Sequence, residues 1–454
     1  MKDFCFRDSL QLLIALLLLI AVMMMGLDAG PHMTLIACLI LTGLTGRYLK
    51  QHSWATMESF MVRGVSQCLK AIFILGLIGA LISAWMISGT IPTVFCYGVQ
   101  VLSPEWFPVS ALVICILVSS FTGSSLTTAG TVGVALMGIA EGFGISPELS
   151  AGAVICGACF GDKMSPLSDT TNFASGIAGV GLFTHIRCLL QTTLPALILT
   201  ILAFSVLGGH SSSATGTAEL TVRVLEDHFR ISPLSLISPL IVVLLVFRKF
   251  PGLPVMTTGL LTAILTAIFL QGKHNPQELF SALTHGFSLQ TESPLVNQLV
   301  SRGGLMSMMF SISLVMIALA FGGLLHGMGV TDALMQGLRR RVRSRGGLVL
   351  WATGSAIGIN FLTGEQYLSI LLPGQAFREA FRERGVGAKF LSRSLEDGGT
   401  LINPLVPWGV CGAFFSEALG VPVSGYLPYV FFLYLSPLFT IAFGFLQKEE
   451  KPAR

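Results

Sequence analysis

Apolar residues fall in long blocks along the chain, among them Leu10 to Met25, Cys68 to Ile87 and Ser307 to Leu325. Each block approaches the ~20 residues a helix needs to cross a bilayer core. Basic loops between such blocks stay in the cytoplasm. Arg47, Lys50, Arg63 and Lys70 therefore mark an inside stretch, as do Arg248-Lys249 and the basic run Arg339 to Arg345. Lys448, Lys451 and Arg454 place the C-terminus inside, and the N-terminus joins it there. Stretches 88–107, 209–231 and 273–302 are mixed or acidic and are assigned outside. Threading the apolar blocks between these markers gives spans near 9–25, 31–45, 68–87, 108–122, 124–140, 188–208, 233–247, 254–271, 304–328, 347–362, 365–382 and 427–446. Two further stretches, 149–187 and 394–426, are too long for one span and are interrupted by polar residues and prolines, the pattern of broken helices. The expectation is an all-α polytopic membrane protein with about 11–14 membrane segments.

Composition removes the alternatives. Of 454 residues, 53% are hydrophobic and 11% charged, whereas soluble domains carry about 25% charged residues. The net charge of +4 is spread over short loops and points to no acidic partner. The basic cluster lacks interleaved aromatics, which argues against nucleic acid; it reads as a topology anchor that touches anionic lipid. The nine cysteines are scattered, without CxxC or Cys/His spacing, and read as small buried hydrophobes with no cofactor implied. Lys2 and Arg7 before an apolar run mimic a signal peptide, but no small-residue cleavage motif follows, so the run is expected to be an uncleaved first helix. No HExxH, GxSxG or phosphate-binding loop is present, and the glycines at 157 and 161 have the wrong spacing for one. An enzyme is not expected.

The chain also carries a faint internal echo. Thr122-Gly123 and Thr363-Gly364 lie 363 − 122 = 241 residues apart, and the same offset pairs Gly157 with Gly398, Asp162 with Asn403, and Pro166 with Pro407. The connector Glu141 to Glu148 holds two acids and no base. Its counterpart holds Arg378, Arg382, Arg384, Lys389 and Arg393. Equivalent segments on opposite membrane faces mean an inverted repeat, 68–208 and 304–446, within one transporter domain, 1–454. Secondary transporters of this kind bind at the midplane, on broken helices between the repeats. A channel also tolerates broken helices, but two inverted halves with carboxylates at a break fit alternating access better.

The most polar stretch within an apolar region is Gly161 to Asn172. Asp162 and Asp169 stand there with Ser165, Ser168, Thr170, Thr171 and Asn172, around the helix-breaking Pro166. Proline frees upstream carbonyls, and irregular backbone at membrane depth survives only against protein or a water-filled cavity. Carboxylates, hydroxyls and carbonyls are hard oxygen ligands suited to an alkali cation rather than a transition metal. The plainer alternative is a surface turn with Ser168 or Asp169 capping the next helix.

The run Cys156-Gly157-Ala158-Cys159-Phe160-Gly161-Asp162-Lys163-Met164-Ser165-Pro166-Leu167-Ser168-Asp169-Thr170-Thr171-Asn172, followed by Leu182-Phe183-Thr184-His185-Ile186-Arg187, closely resembles the signature of the NhaC family of sodium/proton antiporters. Thr363-Gly364-Glu365-Gln366-Tyr367 and Leu371-Leu372-Pro373-Gly374 look like that family's second hairpin. Leu395-Glu396-Asp397, Gly399-Thr400 and Pro404-Leu405-Val406-Pro407-Trp408 look like its second broken helix. The resemblance implies inverted repeats with re-entrant hairpins, and sodium (or lithium)/proton antiport at Asp162 and Asp169. It departs at Gly181, where an acid is usual, at Gly398, where Ser is usual, and at Gly409-Val410, which replace Asn-Thr. These losses thin the oxygen ligands of the second half and favour one intact cation site in the first. Because relatives also exchange organic acids or amino acids, a small organic solute coupled to protons or sodium is the alternative cargo.

The candidate ion-binding set is therefore Asp162, Ser165, Ser168, Asp169, Thr170, Thr171 and Asn172, with Thr122, Gly123, Thr363, Gly364, Glu365, Asp397 and Asn403. Intramembrane carboxylates are functional by default, and here one is expected to bind a proton or the cation in competition. Lys163 either holds an Asp when the cation is absent or snorkels to water. Asp397, with fewer oxygen neighbours, is expected to matter less than Asp162 or Asp169. Glu365 is a proton carrier or an interfacial acid, Glu396-Asp397 an ion-pairing or functional pair, and His326 a satisfied buried histidine or a proton relay. Expected partners are sodium and protons or the organic solute, membrane lipid, and a second copy in a homodimer; the expected location is the cytoplasmic (inner) membrane.

Overall fold

Lipid offers a backbone no hydrogen bonds, so apolar blocks of this length must satisfy their own amides as helices. The computed structural model describes residues 4–27, 29–67, 69–208, 215–248, 250–291, 297, 303–339 and 344–446, and every regular element among them is helical. Lys2, Cys68, Lys249, residues 340–343, Lys448, Lys451 and Arg454, which include several of the basic topology markers, lie outside the described residues.

Among the described residues five helices are long and apolar enough to cross a membrane: Phe6–Met24, Pro31–Leu49, Leu182–Gly208, Leu305–Gly327 and Arg345–Thr363. Three bent pairs bring the number to eight: Ile72–Ile87 with Thr90–Gly98 (69°), Thr221–His228 with Pro233–Leu245 (92°), and Val410–Leu419 with Val423–Tyr429 (88°). Phe107–Thr122, Leu253–Phe269 and Phe431–Leu446 are shorter apolar helices. These bends put helices where loops were expected. Thr90–Val101 occupies most of 88–107, turned out of the preceding helix at Gly89, whose φ of 72° needs no Cβ. Trp54–Gln67, in the basic stretch after the second span, packs on Met309–Gly327 at a glycine crossing, where a Cβ on Gly64 would meet the Leu319 carbonyl at 2.3 Å and the Gly323 Cα at 2.9 Å. His326 is in the last turn of Met309–Gly327 with its side chain about one-third exposed, beside Thr331 and Asp332, rather than deep in the apolar interior.

The centre is built from nine helices: α1 (Phe107–Thr122), α2 (Pro147–Met164), α3 (Asp169–Ala178), α4 (Leu182–Gly208), α5 (Arg345–Thr363), α6 (Gln366–Glu383), α7 (Ala388–Gly399), α8 (Val410–Leu419) and α9 (Phe431–Leu446). Both long polar stretches are interrupted helices. The first breaks at residues 165–168 between α2 and α3; the second breaks over 400–409, around a single 3-10 turn at Asn403–Leu405, between α7 and α8.

Small residues bring helices close where no hydrophobic force between them exists. A Cβ on Gly157 of α2 would lie 2.4 Å from the Leu112 carbonyl and 2.8 Å from Cys115 Cβ of α1, and one on Gly161 would lie 2.6 Å from the Ile116 carbonyl. Ser119 Oγ donates to the Ala158 carbonyl across the same seam at 2.6 Å. The spacing that cannot form a phosphate loop is a helix-packing face. Gly398 of α7 repeats the contact on α5, 2.5 Å from the Thr353 carbonyl and 2.9 Å from Ala356 Cβ, each position 241 residues on. Left-handed glycines recur at the same interval: Gly123 and Gly364, Gly144 and Gly385, Gly179 and Gly420.

Candidate ion site

The break after α2 is pressed against the tip that follows α1. Gly123 ends α1 with φ 64°, and its α-carbon abuts the Leu167 backbone, so that a Cβ would lie 2.6 Å from the Leu167 carbonyl carbon. Ser124 then opens the next helix, its hydroxyl accepting the Thr127 amide at 3.2 Å, and the Thr122 hydroxyl accepts the Ser124 amide at 3.2 Å. This geometry points Ser125 at Asp162: one Asp162 oxygen accepts both the Ser125 amide (3.0 Å) and the Ser125 hydroxyl (2.7 Å). Ser165 and Ser168 are buried beside it; the first accepts the Leu167 amide (3.2 Å), and the second caps α3 through the Thr171 amide (3.4 Å).

The second break mirrors the arrangement with amides in place of an acid. Thr363 Oγ1 accepts the Glu365 amide at 3.4 Å, and the Glu365 carboxylate caps α6 through the Leu368 amide at 2.7 Å. Asn403, the counterpart of Asp162, donates to Asn360 Oδ1 (2.9 Å) and the Gly364 carbonyl (3.1 Å) and accepts the Cys411 amide (2.8 Å). Asn360 in turn holds the carbonyls of Gly398 and Gly399 at 3.0 and 2.7 Å. Asn360 and Asn403 thus spend their side-chain hydrogen bonds on the backbone of this break and on each other.

Between the breaks lies a fully buried ion pair. Lys163 of α2 donates to Asp397 of α7, and to Ser436 Oγ of α9 at 2.7 Å; Ser436 (2.7 Å) and Thr440 also donate to Asp397. One cation and two hydroxyls around the carboxylate supply the hydrogen bonds that a buried pair requires to offset its desolvation. Next to it, Glu396 reaches Thr170 Oγ1 at 3.4 Å and stands 4.0 Å from His185 Nε2 of α4.

The sequence profile of the Na+/H+ antiporter family matches residues 157–448. The chain is 52% identical to the Na(+)/H(+) antiporter NhaC of Alkalihalophilus pseudofirmus, over 96% of this chain and 95% of that one. It is 44% identical to the Na(+)/H(+) antiporter NhaC of Bacillus subtilis, over 98% and 99%. It is also 36% identical to the arginine/ornithine antiporter ArcD of Halobacterium salinarum, over 94% and 89%. The chain belongs to the Na+/H+ antiporter family.

As a member of that family it is a multi-pass membrane transporter and not an enzyme. Of the residues singled out in its sequence, the structure gathers Asp162, Ser165, Ser168, Thr122 and Gly123 at the first break, and Thr363, Gly364, Glu365 and Asn403 at the second. Thr170 and Thr171 are buried between them, Thr171 donating to the Lys163 carbonyl at 3.1 Å. Asp169 and Asn172 are not brought in: both side chains are exposed, and the Asn172 amide is spent on the carbonyls of Pro166 (2.9 Å) and Ser168 (2.7 Å). Lys163 holds Asp397 rather than either first-half Asp. Ser125, Asn360, Ser436 and Thr440 escape a sequence reading, because a lone hydroxyl or amide on an apolar helix carries no local signal. For Ser125 a hint exists, since it follows the Thr-Gly tip by two residues.

Proposed function

We propose that this antiporter exchanges sodium for protons across the cytoplasmic membrane, with Asp162 binding one or the other in turn. The carrying observation is the placing of a buried carboxylate at a helix break, with hydroxyls and freed backbone packed around it. Relatives that share 52% and 44% of its residues are sodium/proton antiporters by name, which supports the cargo. The packing contacts and left-handed glycines that recur 241 residues apart support two structural repeats, 68–208 and 304–446, and the opposite charge of their connectors supports inverted orientation with both termini cytoplasmic. Exposed Leu18, Val206 and Phe269 suit a lipid-covered belt. Re-entrant tips at Gly123 and Gly364, and broken and bent segments beyond the eight counted spans, would complete the expected 11–14 membrane segments. Rocking one repeat past the other would expose Asp162 to either side, with the Lys163–Asp397 pair joining the halves throughout.

Competition has a quantitative signature. Where one proton displaces one cation, the apparent sodium affinity falls about tenfold per pH unit below the site's pKa, while the maximal rate changes much less. Sodium-driven pH change in everted vesicles, measured at several pH values, tests this; a sodium affinity independent of pH would refute it. The likeness to an arginine/ornithine antiporter favours a second reading, a proton-coupled organic solute. That reading takes over if no alkali cation moves protons and an amino acid does.

A further inference from the structure

Glu396 is wholly buried on α7, and the antiport reading above gives it no task. One of its oxygens, Oε2, has no hydrogen-bond partner. One other buried polar atom beside it is equally unpartnered, His185 Nε2, 4.0 Å away, and the hydroxyl of Thr400 lies one helical turn on along the same face. Buried polar atoms are rarely left without a partner, so two that face each other call for a ligand.

The hydrogen bonds around His185 determine the kind of ligand. Ser392 Oγ donates its one proton to the Lys389 carbonyl at 3.0 Å, and this leaves its lone pair to accept from His185 Nδ1 at 2.8 Å. The ring proton is thereby assigned to Nδ1, and Nε2 presents a lone pair. Nε2 and Glu396 Oε2 thus face each other as two acceptors. Thr170 Oγ1 closes on the other carboxylate oxygen at 3.4 Å, itself 3.1 Å from Ser168 Oγ. Two facing acceptors call for a cation or a hydrogen-bond donor between them. Calcium, whose radius sodium nearly shares, binds oxygen at about 2.3–2.6 Å; an ion that far from both atoms, which are 4.0 Å apart, sits about 1.1–1.7 Å off the line joining them.

The cations of the surroundings do not reach the position. Lys163 and Asp397 neutralise each other, and Asp162 stands on the first-half side. Arg393, one turn before Glu396, turns away to Gln191 (3.3 Å) and stacks on Phe390 (5.2 Å). Neither cation is bonded to Glu396.

We propose a second alkali-cation seat formed by Glu396, Thr400, Thr170 and His185 Nε2, separate from the Asp162 seat. It rests on the sodium/proton reading above and extends it from one bound cation to two. The test is the number of radioactive sodium ions bound per purified chain in detergent at saturation, with the wild type compared to Glu396→Gln, His185→Phe and Asp162→Asn. The expected result is two ions for the wild type and one for Glu396→Gln and for Asp162→Asn. For His185→Phe we expect two ions, with the affinity of one weakened about tenfold or more. The ion that Glu396→Gln retains doubles as a check that this variant is folded. A wild type that binds a single ion overturns the second seat, whichever variant then loses it. A wild type that drives sodium-dependent pH change yet binds one ion overturns this inference alone. One that binds none and drives none overturns the sodium reading and this inference with it.

Discussion

Asp162 and Lys163 are neighbours in sequence and opposites in function. Successive helical residues project about 100° apart, so one turns to Ser125 in its own half and the other crosses to Asp397 in the second half. Asp162→Asn should lower sodium-driven transport by tenfold or more, a loss above about 1.4 kcal/mol, with membrane insertion unchanged. Asp169→Asn should stay within about twofold, as exposed substitutions usually shift energies by less than about 0.5 kcal/mol; equal losses in vesicle assays would return Asp169 to the site. The expectation that Asp397 matters less concerned transport; its buried partner Lys163 gives it a part in stability. Asp397→Asn strands a buried ammonium and should destabilise the protein by about 3–5 kcal/mol. Adding Lys163→Met should recover part of that. Thermal unfolding in detergent of the single and double variants reads this directly, and a double variant no more stable than Asp397→Asn would exclude the pair as a structural bond.

At the scale of elements, glycines decide how closely the helices beside each break approach one another. The family resemblance makes Gly398 a lost oxygen ligand. Its α-carbon instead faces the Thr353 carbonyl, as Gly157 faces that of Leu112. Gly157→Ala and Gly398→Ser should each cost about 1–3 kcal/mol by overpacking. Gly354→Ala on α5, where a Cβ would meet nothing within 4 Å, should be neutral or slightly stabilising. Tolerance of Gly398→Ser with increased sodium affinity would restore the ligand reading. At the second break Asn360 and Asn403 hold the backbone, and the one acid there, Glu365, caps α6.

For the whole molecule, the recurrence at 241 residues predicts equivalent parts facing opposite sides. In a background without the exposed Cys5, cysteine placed at Glu148 should react with an impermeant maleimide from the periplasm, and cysteine at Arg384 only from the cytoplasm. Reaction of both from one side would remove the inverted repeat and, with it, the alternating exposure of Asp162.

The helical class, the two interrupted stretches and the carboxylates of the first break were legible in the chain, because each follows from local rules: block length against bilayer thickness, proline against the helix, charge against lipid. The bends at Gly89 and Gly420 and the helices at Trp54–Gln67 and Thr90–Val101 were not, because an amphipathic or short helix beside a span has the composition of a loop. Nor could the chain say which polar residues meet. Asp162 and Asp169 stand in the same motif, yet the break turns one inward and the other out, and Lys163 finds its counter-charge 234 residues away. Hydrogen bonds and ion pairs act over a few ångströms of space, whereas sequence patterns report only on neighbours along the chain. The polar residues available to the site were therefore set by the sequence, and their pairing by the packing of the two halves.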